Sequence, residues 1–162
     1  MVGTKTLRMN LGVTYRAAEV MLWPPFMAMT RRDWRGTQNL GTHGEGIIVA
    51  PNHISFIDPL IMAHFLHDNG RPPRFMAKQS VFEVPLVGQI VRNTNQIPVS
   101  RERDPHLALS EAVAAVRSGE CLIVYPEGTI TRDPDVWPMK GKTGALRIAL
   151  ETGAPLIPIA QW

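Results

Sequence analysis

Beyond residue 45, hydrophobic and polar positions alternate between short apolar runs and longer stretches with helical spacing. Short apolar runs that end at proline, glycine or polar residues are typical of buried strands. We predict five such strands, at residues 47–50, 74–77, 97–100, 121–125 and 156–160.

Helical patterns fill the intervals between these strands. Asp58-Pro59 and Asp104-Pro105 each place a capping residue directly before a proline, which is a strong signal for the start of a helix. Apolar residues at helical spacing then follow each pair. Two further helical segments are predicted at residues 81–91, in part only, and 142–151.

The alternation of strands and helices predicts an α/β fold, with a largely parallel or mixed sheet flanked by helices. In such sheets ligands gather at the carboxyl ends of the strands. The polar segments 52–58, 100–101 and 127–132 each follow a predicted strand, so we expect them to converge on one rim. The chain stops directly after its last strand signal, and we therefore expect it to lack a C-terminal portion of the domain.

The positive charge of the chain is concentrated near its N-terminus. Residues 1–35 carry a net charge of +4, whereas the remaining residues carry −1. A basic segment beside apolar residues suits an anionic membrane surface, although a simply solvated segment is the alternative. No apolar stretch approaches the roughly 20 residues that a spanning helix needs. We predict a membrane-associating segment at 1–35 and a folded core at 36–162.

The single cysteine, Cys121, lies in an apolar run. One cysteine excludes an internal disulfide and a zinc site built from several thiolates. It also indicates a reducing compartment.

His53 and Asp58 stand five residues apart on a segment that enters a predicted helix. A carboxylate at this spacing can hold one ring nitrogen of the histidine and leave the other to act as a general base. From spacing alone a simpler alternative stays open, in which Asp58 is only the helix N-cap and His53 an ordinary loop residue.

A second polar segment follows the strand at 121–125. Glu127, Gly128, Thr129 and Arg132 lie in a tight turn, which suits a polar or phosphorylated ligand. The alternative is an ordinary connection between a strand and a loop.

Two basic residues also follow predicted strands. Arg101 comes directly after the strand at 97–100, and Lys78 directly after the strand at 74–77. Both are candidate contacts for a phosphate group, and Arg101 can bind one with two parallel hydrogen bonds. For either residue taken alone, a solvated surface charge is the alternative.

Taken together, the motifs resemble those of the glycerolipid acyltransferase family. That family shows Asn-His-x-x-x-x-Asp and three further blocks in a fixed order. The matching segments are residues 52–58, 97–101, 125–129 and 154–158, so the resemblance covers roughly residues 45–160. It favours the catalytic interpretation of His53 and Asp58 over the helix-cap alternative.

The resemblance implies an enzyme that moves a fatty acyl group from acyl-CoA or acyl carrier protein to the free hydroxyl of a lysophosphatidic acid-type acceptor in phospholipid biosynthesis. His53 would be the general base, and Asp58 would orient it. The resemblance implies no metal or cofactor besides the thioester co-substrate. It also implies a peripheral position on the cytoplasmic face of the membrane.

The resemblance assigns the remaining candidate residues to substrate binding. Arg101, assisted by Lys78, would hold the acceptor phosphate. The acceptor pocket would contain Glu127, Gly128 and Thr129.

One position departs from the family pattern. The third block usually reads Glu-Gly-Thr-Arg, but Ile130 occupies the arginine position and the nearest arginine is Arg132. Either Arg132 substitutes from a shifted position or the contact with the headgroup differs. The alternatives are acylation of glycerol-3-phosphate or another lipid headgroup, and a non-catalytic lipid- or acyl-carrier-binding module on the same fold.

Three other classes of site fit the sequence poorly. Residues 141–143 read Gly-Lys-Thr, but Val136 stands where a phosphate loop needs glycine. His64 and His67 could form a metal pair, but no third ligand is evident and we expect an exposed helix face. The charge of −1 beyond residue 35 offers no basic face to nucleic acid.

Overall fold

The computed structural model of the chain describes residues 31–42, 44–100 and 105–162. Within these residues, strands and α-helices alternate along the chain. The strands are β1 (Ile47–Pro51), β2 (Pro73–Lys78), β3 (Ile97–Val99), β4 (Cys121–Ile123) and β5 (Leu156–Ile159). The helices are α1 (Asp58–Asp68), α2 (Val87–Asn93), α3 (Pro105–Arg117) and α4 (Gly144–Thr152), with short 3-10 helices at Thr37–Leu40 and Gln79–Glu83. The predicted α/β class is confirmed.

The five strands form one sheet in the order β3-β2-β4-β1-β5. Every pairing in this sheet is parallel, so of the two predicted possibilities the parallel sheet is correct. One α-helix connects each strand to the next along the chain, as parallel pairing requires. The carboxyl ends of all five strands therefore meet the same edge of the sheet.

Side chains of the central strands alternate between two apolar layers, because successive residues of a strand point to opposite faces. Ile48 and Leu122 face α3 and α4, whereas Val49 and Ile123 face α1. All four side chains are fully buried. Each contributes roughly 1.5–3 kcal/mol by leaving water, so β1 and β4 form a rigid centre from which the connecting loops extend.

The boundaries of two helices differ from the predicted ones for local reasons. α2 begins only at Val87, after the 3-10 helix, and a Cβ added to Gly88 would lie 2.1 Å from the carbonyl oxygen of Phe82. Only glycine permits this close approach. Lys142 is bound to the loop after β4, where its N–H donates to the carbonyl of Pro126 at 2.8 Å, and α4 begins two residues later at Gly144. The helix ends at Gly153, which has a left-handed φ of 72°.

Residues 1–30, most of the predicted membrane-associating segment, lie outside the described residues. Of the remainder, Trp34 packs on the core, with its ring centroid 5.9 Å from that of His64 and 5.1 Å from that of Phe65. Part of the predicted segment is thus joined to the folded domain. No helix within the described ranges is long and apolar enough to cross a bilayer.

The prediction that His64 lies on an exposed helix face is wrong. Its side chain is 1% exposed and its Nε2 lies 3.1 Å from Asp68 Oδ2, one helical turn further along α1. The sequence pattern missed this because Trp34, which covers the histidine, belongs to a segment outside the helix.

Candidate active site

The loops after β1 and β4 meet at the carboxyl edge of the sheet, since the two strands are neighbours there. The N–H of His53 donates to Glu127 Oε1 at 3.0 Å. The carbonyl of His53 accepts the N–H of Thr131 at 2.7 Å. Two of the three segments predicted to share one rim are therefore in direct contact.

The third segment lies further along the same edge. β3 is the edge strand on the side opposite β5, three positions from β1 in the sheet. At about 4.8 Å between neighbouring strands, this separation is roughly 14 Å. Arg101 lies outside the described residues, so its place at the rim stays a prediction. Lys78 ends β2, one strand from β4, and is exposed.

The centre of the site is the pair formed by His53 and Asp58. His53 Nδ1 lies 2.9 Å from Asp58 Oδ2. The same oxygen accepts the N–H of Ile54 at 2.6 Å and that of Ser55 at 2.8 Å. An ionised carboxylate can only accept hydrogen bonds, so the shared hydrogen belongs to Nδ1 and Nε2 keeps its lone pair.

Burial differs between the two members of this pair. The Asp58 side chain is 1% exposed, whereas that of His53 is 16% exposed. Within the described parts of the chain no hydrogen bond reaches His53 Nε2. The buried carboxylate therefore fixes the ring, and the outer nitrogen is free to exchange a proton with a ligand.

The prediction that Asp58 caps α1 with its side chain is wrong. The helix begins at Asp58 itself, and the N-cap residue Ile57 has no side-chain cap. The carboxylate turns back toward the preceding loop, where it holds two N–H groups and the imidazole of His53. The geometry thus separates the two alternatives left open by spacing, in favour of the histidine–carboxylate pair.

Tyr125 covers one face of the His53 ring, with the two ring centroids 4.3 Å apart and the planes inclined by 30°. Burial, with a further contribution from the charge of Asp58, raises the pKa of the Tyr125 phenol. The phenol is therefore neutral in the physiological range. The stacked ring of Tyr125 restricts rotation of the His53 ring out of the orientation in which Asp58 binds it.

Asn52 joins the loop to the end of β5. Its side-chain amide donates to the carbonyl of Gln161 at 2.9 Å and accepts the N–H of Gln161 at 2.8 Å. The side-chain amide of Gln161 donates to the carbonyl of Asn52 at 2.7 Å. These bonds hold the residue before His53 against the segment that follows β5.

The turn after β4 is folded against residue 142. Gly128 has a φ of 68°, and a Cβ added there would lie 2.8 Å from Lys142 Nζ. The positive φ is what favours glycine here, because the end of the flexible Lys142 side chain could move aside. Thr129 is half-buried and Arg132 is exposed. The structure thus places these predicted substrate contacts beside His53, while their role in binding stays a prediction.

Glu127 differs from the other predicted contacts because it is buried. Its side chain is 6% exposed, and its second oxygen accepts the N–H of Met139 at 2.9 Å. Both carboxylate oxygens therefore bind main-chain groups of the protein itself.

Sequence reasoning missed Thr131 and Gln161, which bind the main chain of His53 and of Asn52. Both act across large separations in sequence, 78 and 109 residues. Only the order of the strands reveals such contacts, and no local pattern encodes that order.

The cysteine lies away from this centre, on β4. Burial raises the pKa of the Cys121 thiol to about 12, which keeps it protonated at neutral pH. The described residues contain no group of three His, Cys, Asp or Glu side chains arranged to hold a metal ion.

Known proteins match the chain over most of its length. A family model described as Acyltransferase matches residues 31–162. A chloroplastic 1-acyl-sn-glycerol-3-phosphate acyltransferase of Brassica napus is 28% identical over 145 residues, which are 88% of this chain and 39% of that protein.

Two bacterial proteins named 1-acyl-sn-glycerol-3-phosphate acyltransferase match as well. That of Borreliella burgdorferi is 30% identical over 129 residues, 78% of this chain and 49% of its own. That of Bacillus subtilis is 28% identical over 120 residues, 71% of this chain and 55% of its own. The chain thus spans between about two-fifths and just over half of the length of these relatives.

Proposed function

Because the chain belongs to the glycerolipid acyltransferase family, we propose that it transfers a fatty acyl group from acyl-CoA or acyl carrier protein to a lysophosphatidic acid-type acceptor. The product is the diacylated phosphate lipid, together with the free thiol of the donor. Relatives named as acyltransferases for 1-acyl-sn-glycerol-3-phosphate support this choice of acceptor.

One observation carries the proposal: His53 Nδ1 is bonded to the buried Asp58 at 2.9 Å, while the ring is 16% exposed and Nε2 has no hydrogen-bond partner among the described residues. A histidine held in this way is suited to take a proton from a hydroxyl group.

In the proposed reaction, His53 Nε2 removes the proton from the acceptor hydroxyl as its oxygen attacks the thioester carbonyl carbon. The tetrahedral intermediate collapses, the carbon–sulfur bond breaks, and the proton passes from the imidazolium to the departing sulfur. Asp58 stabilises the imidazolium in between. No acyl-enzyme forms, because the acceptor oxygen attacks directly.

The acceptor phosphate needs cationic partners near His53. Arg101 is proposed as the main one, assisted by Lys78, with Arg132 as the arginine of the third block shifted by two positions. Gly128 and Thr129 would border the acceptor beside His53. Guanidinium groups suit a phosphate because they donate two parallel hydrogen bonds.

The basic residues 1–35 are proposed to bring the protein to an anionic membrane surface, on its cytoplasmic face, where the lipid acceptor resides. Removal of residues 1–30 is expected to weaken sedimentation with vesicles that contain anionic lipid. Equal sedimentation of the two proteins would contradict this role.

The test of function is an acyl-transfer assay with a long-chain acyl-CoA and either lysophosphatidic acid or glycerol-3-phosphate. We expect formation of phosphatidic acid from the lysolipid, detected by mass spectrometry. Acylation of glycerol-3-phosphate but not of the lysolipid would overturn the choice of acceptor. Binding of lysolipid without any product would favour the non-catalytic module.

A further inference from the structure

Glu127 occupies an unusual place for a residue expected to contact substrate. It is the fourth residue after β4, and its side chain is only 6% exposed. Oε1 accepts the N–H of His53 at 3.0 Å, and Oε2 accepts the N–H of Met139 at 2.9 Å. One carboxylate therefore joins two loops that lie 74 residues upstream and 12 residues downstream of it.

The same turn holds the main chain of His53 from its other side. The N–H of Thr131 donates to the carbonyl of His53 at 2.7 Å. Both main-chain polar groups of the histidine are thus bound by residues 127 and 131, independently of the bond between its ring and Asp58. The position of the ring along the edge of the sheet depends on these two bonds.

A direct contact between Glu127 and the acceptor fits the electrostatics poorly. The proposed acceptor carries a phosphate, and a carboxylate facing an anion is repelled. A carboxylate that accepts hydrogen bonds from the N–H groups of two part-buried residues is strongly held where it is. Turning it toward a ligand would leave both N–H groups unsatisfied.

We propose that Glu127 is a positioning residue, which sets the location of His53 by bridging the His53 and Met139 amides, rather than a substrate contact. This inference rests on the proposed function, because it concerns the base of that reaction. A base displaced by about 1 Å can lose on the order of 10²-fold in rate while substrate binding is retained.

Glu127→Gln is the sharpest variant. The amide keeps the size of the side chain but has only one acceptor oxygen, so its NH₂ group must face one of the two N–H donors. We expect kcat to fall on the order of 10²-fold and the KM for lysophosphatidic acid to change by less than about threefold. Glu111→Gln, the same change at an exposed position of α3, is the matched control and should leave both constants unchanged.

Amide hydrogen exchange measured by NMR reports the bridge without any reliance on activity. In the unsubstituted protein the His53 and Met139 amides should exchange slowly. In Glu127→Gln at least one of them should exchange about tenfold faster or more. The amide of Gly153, which donates to Ala149 within the last turn of α4, should not change.

Two outcomes would overturn the inference. One is a raised KM for the lysolipid with kcat retained in Glu127→Gln, which would identify a substrate contact. The other is fast exchange at His53 and Met139 in the unsubstituted protein. If circular dichroism shows that the glutamine variant is unfolded, Glu127→Asp, which keeps the charge but cannot span both amides, replaces it with the same expectation.

Failure of the proposed function has a different signature. It would be the absence of acceptor-dependent product from the unsubstituted protein, or full activity in His53→Ala. In either case amide exchange would still show whether Glu127 forms the bridge.

Discussion

His53–Asp58 and His64–Asp68 are histidine–aspartate pairs on or beside α1, and they are built in opposite ways. In His53–Asp58 the carboxylate is 1% exposed and the imidazole 16% exposed. In His64–Asp68 the imidazole is 1% exposed and the carboxylate 36% exposed. The distances between nitrogen and oxygen are nearly equal, 2.9 Å and 3.1 Å.

The difference lies in which group meets the solvent. Asp58 is fixed by two main-chain N–H groups as well as by the imidazole, and the imidazole of His53 remains partly exposed. His64 instead lies inside, beneath Trp34, while Asp68 also approaches Arg32 at 3.9 Å. The same two residue types therefore give a partly exposed imidazole, the proposed base, in one place and a buried imidazole packed against Trp34 in the other.

The largest expected effect is on kcat, and it distinguishes Asp58 from Asp68. Asp58→Asn should lower kcat by about 10⁴-fold, because an amide can donate a hydrogen bond and favour the wrong tautomer of His53. Asp68→Asn should change kcat by less than about twofold. Initial rates of thiol release with lysophosphatidic acid measure both. A comparable loss in the two variants would remove the distinction between the pairs.

The next effect concerns the free energy of unfolding, for which the His64–Asp68 pair should matter more than the His53–Asp58 pair. His64→Ala removes a buried ring that packs against Trp34, so we expect the free energy of unfolding to fall by about 1–3 kcal/mol. Its kcat per folded molecule should be retained. His53→Ala should lose far less stability, because its ring remains partly exposed. Urea denaturation followed by circular dichroism gives the comparison, and equal losses would contradict it.

A smaller effect is expected at Arg101, whose loss should weaken acceptor binding and leave turnover unchanged. Arg101→Ala should raise the KM for lysophosphatidic acid about tenfold or more, because it removes the hydrogen bonds between a guanidinium and the acceptor phosphate, with kcat largely retained. Arg147→Ala, on an exposed position of α4, is the control. A fall in kcat at unchanged KM would place Arg101 with the His53–Asp58 pair instead of with the phosphate.

The smallest effect should come from the buried cysteine. Because burial raises the pKa of Cys121 from 9.0 to about 12, the folded state binds the thiol proton more tightly than the unfolded state. Stability from this group is therefore lost as the pH rises through that interval. At pH 7.5 a thiol-alkylating reagent should leave kcat unchanged and modify Cys121 only after unfolding. Inactivation of the folded protein would point to a role for the thiol.

Local sequence patterns were sufficient for most elements of the fold. The strand at 47–50 and the helix after it were found because apolar spacing and Asp58-Pro59 act within a few residues. Boundaries shifted where a distant segment intervened, as at Lys142, which is held to the loop after β4 by the bond from its N–H to the carbonyl of Pro126. The strand order was not predicted, since it depends on packing between segments far apart in the chain.

The site was predicted in part for the same reason. His53 and Asp58 are close in sequence, so their pairing could be inferred from spacing and from resemblance. The bonds from Glu127 and Thr131 to the main chain of His53 depend on β1 lying beside β4. The burial of His64 depends on Trp34, which the helix pattern does not contain.

The most direct test of the central claim is the release of free thiol from a long-chain acyl-CoA, measured with and without lysophosphatidic acid, for the unsubstituted chain, His53→Ala and His64→Ala. We predict acceptor-dependent release that is lost in His53→Ala, by roughly 10²-fold or more, and retained per folded molecule in His64→Ala. Acceptor-dependent release that survives in His53→Ala would contradict the assignment of His53 as the general base.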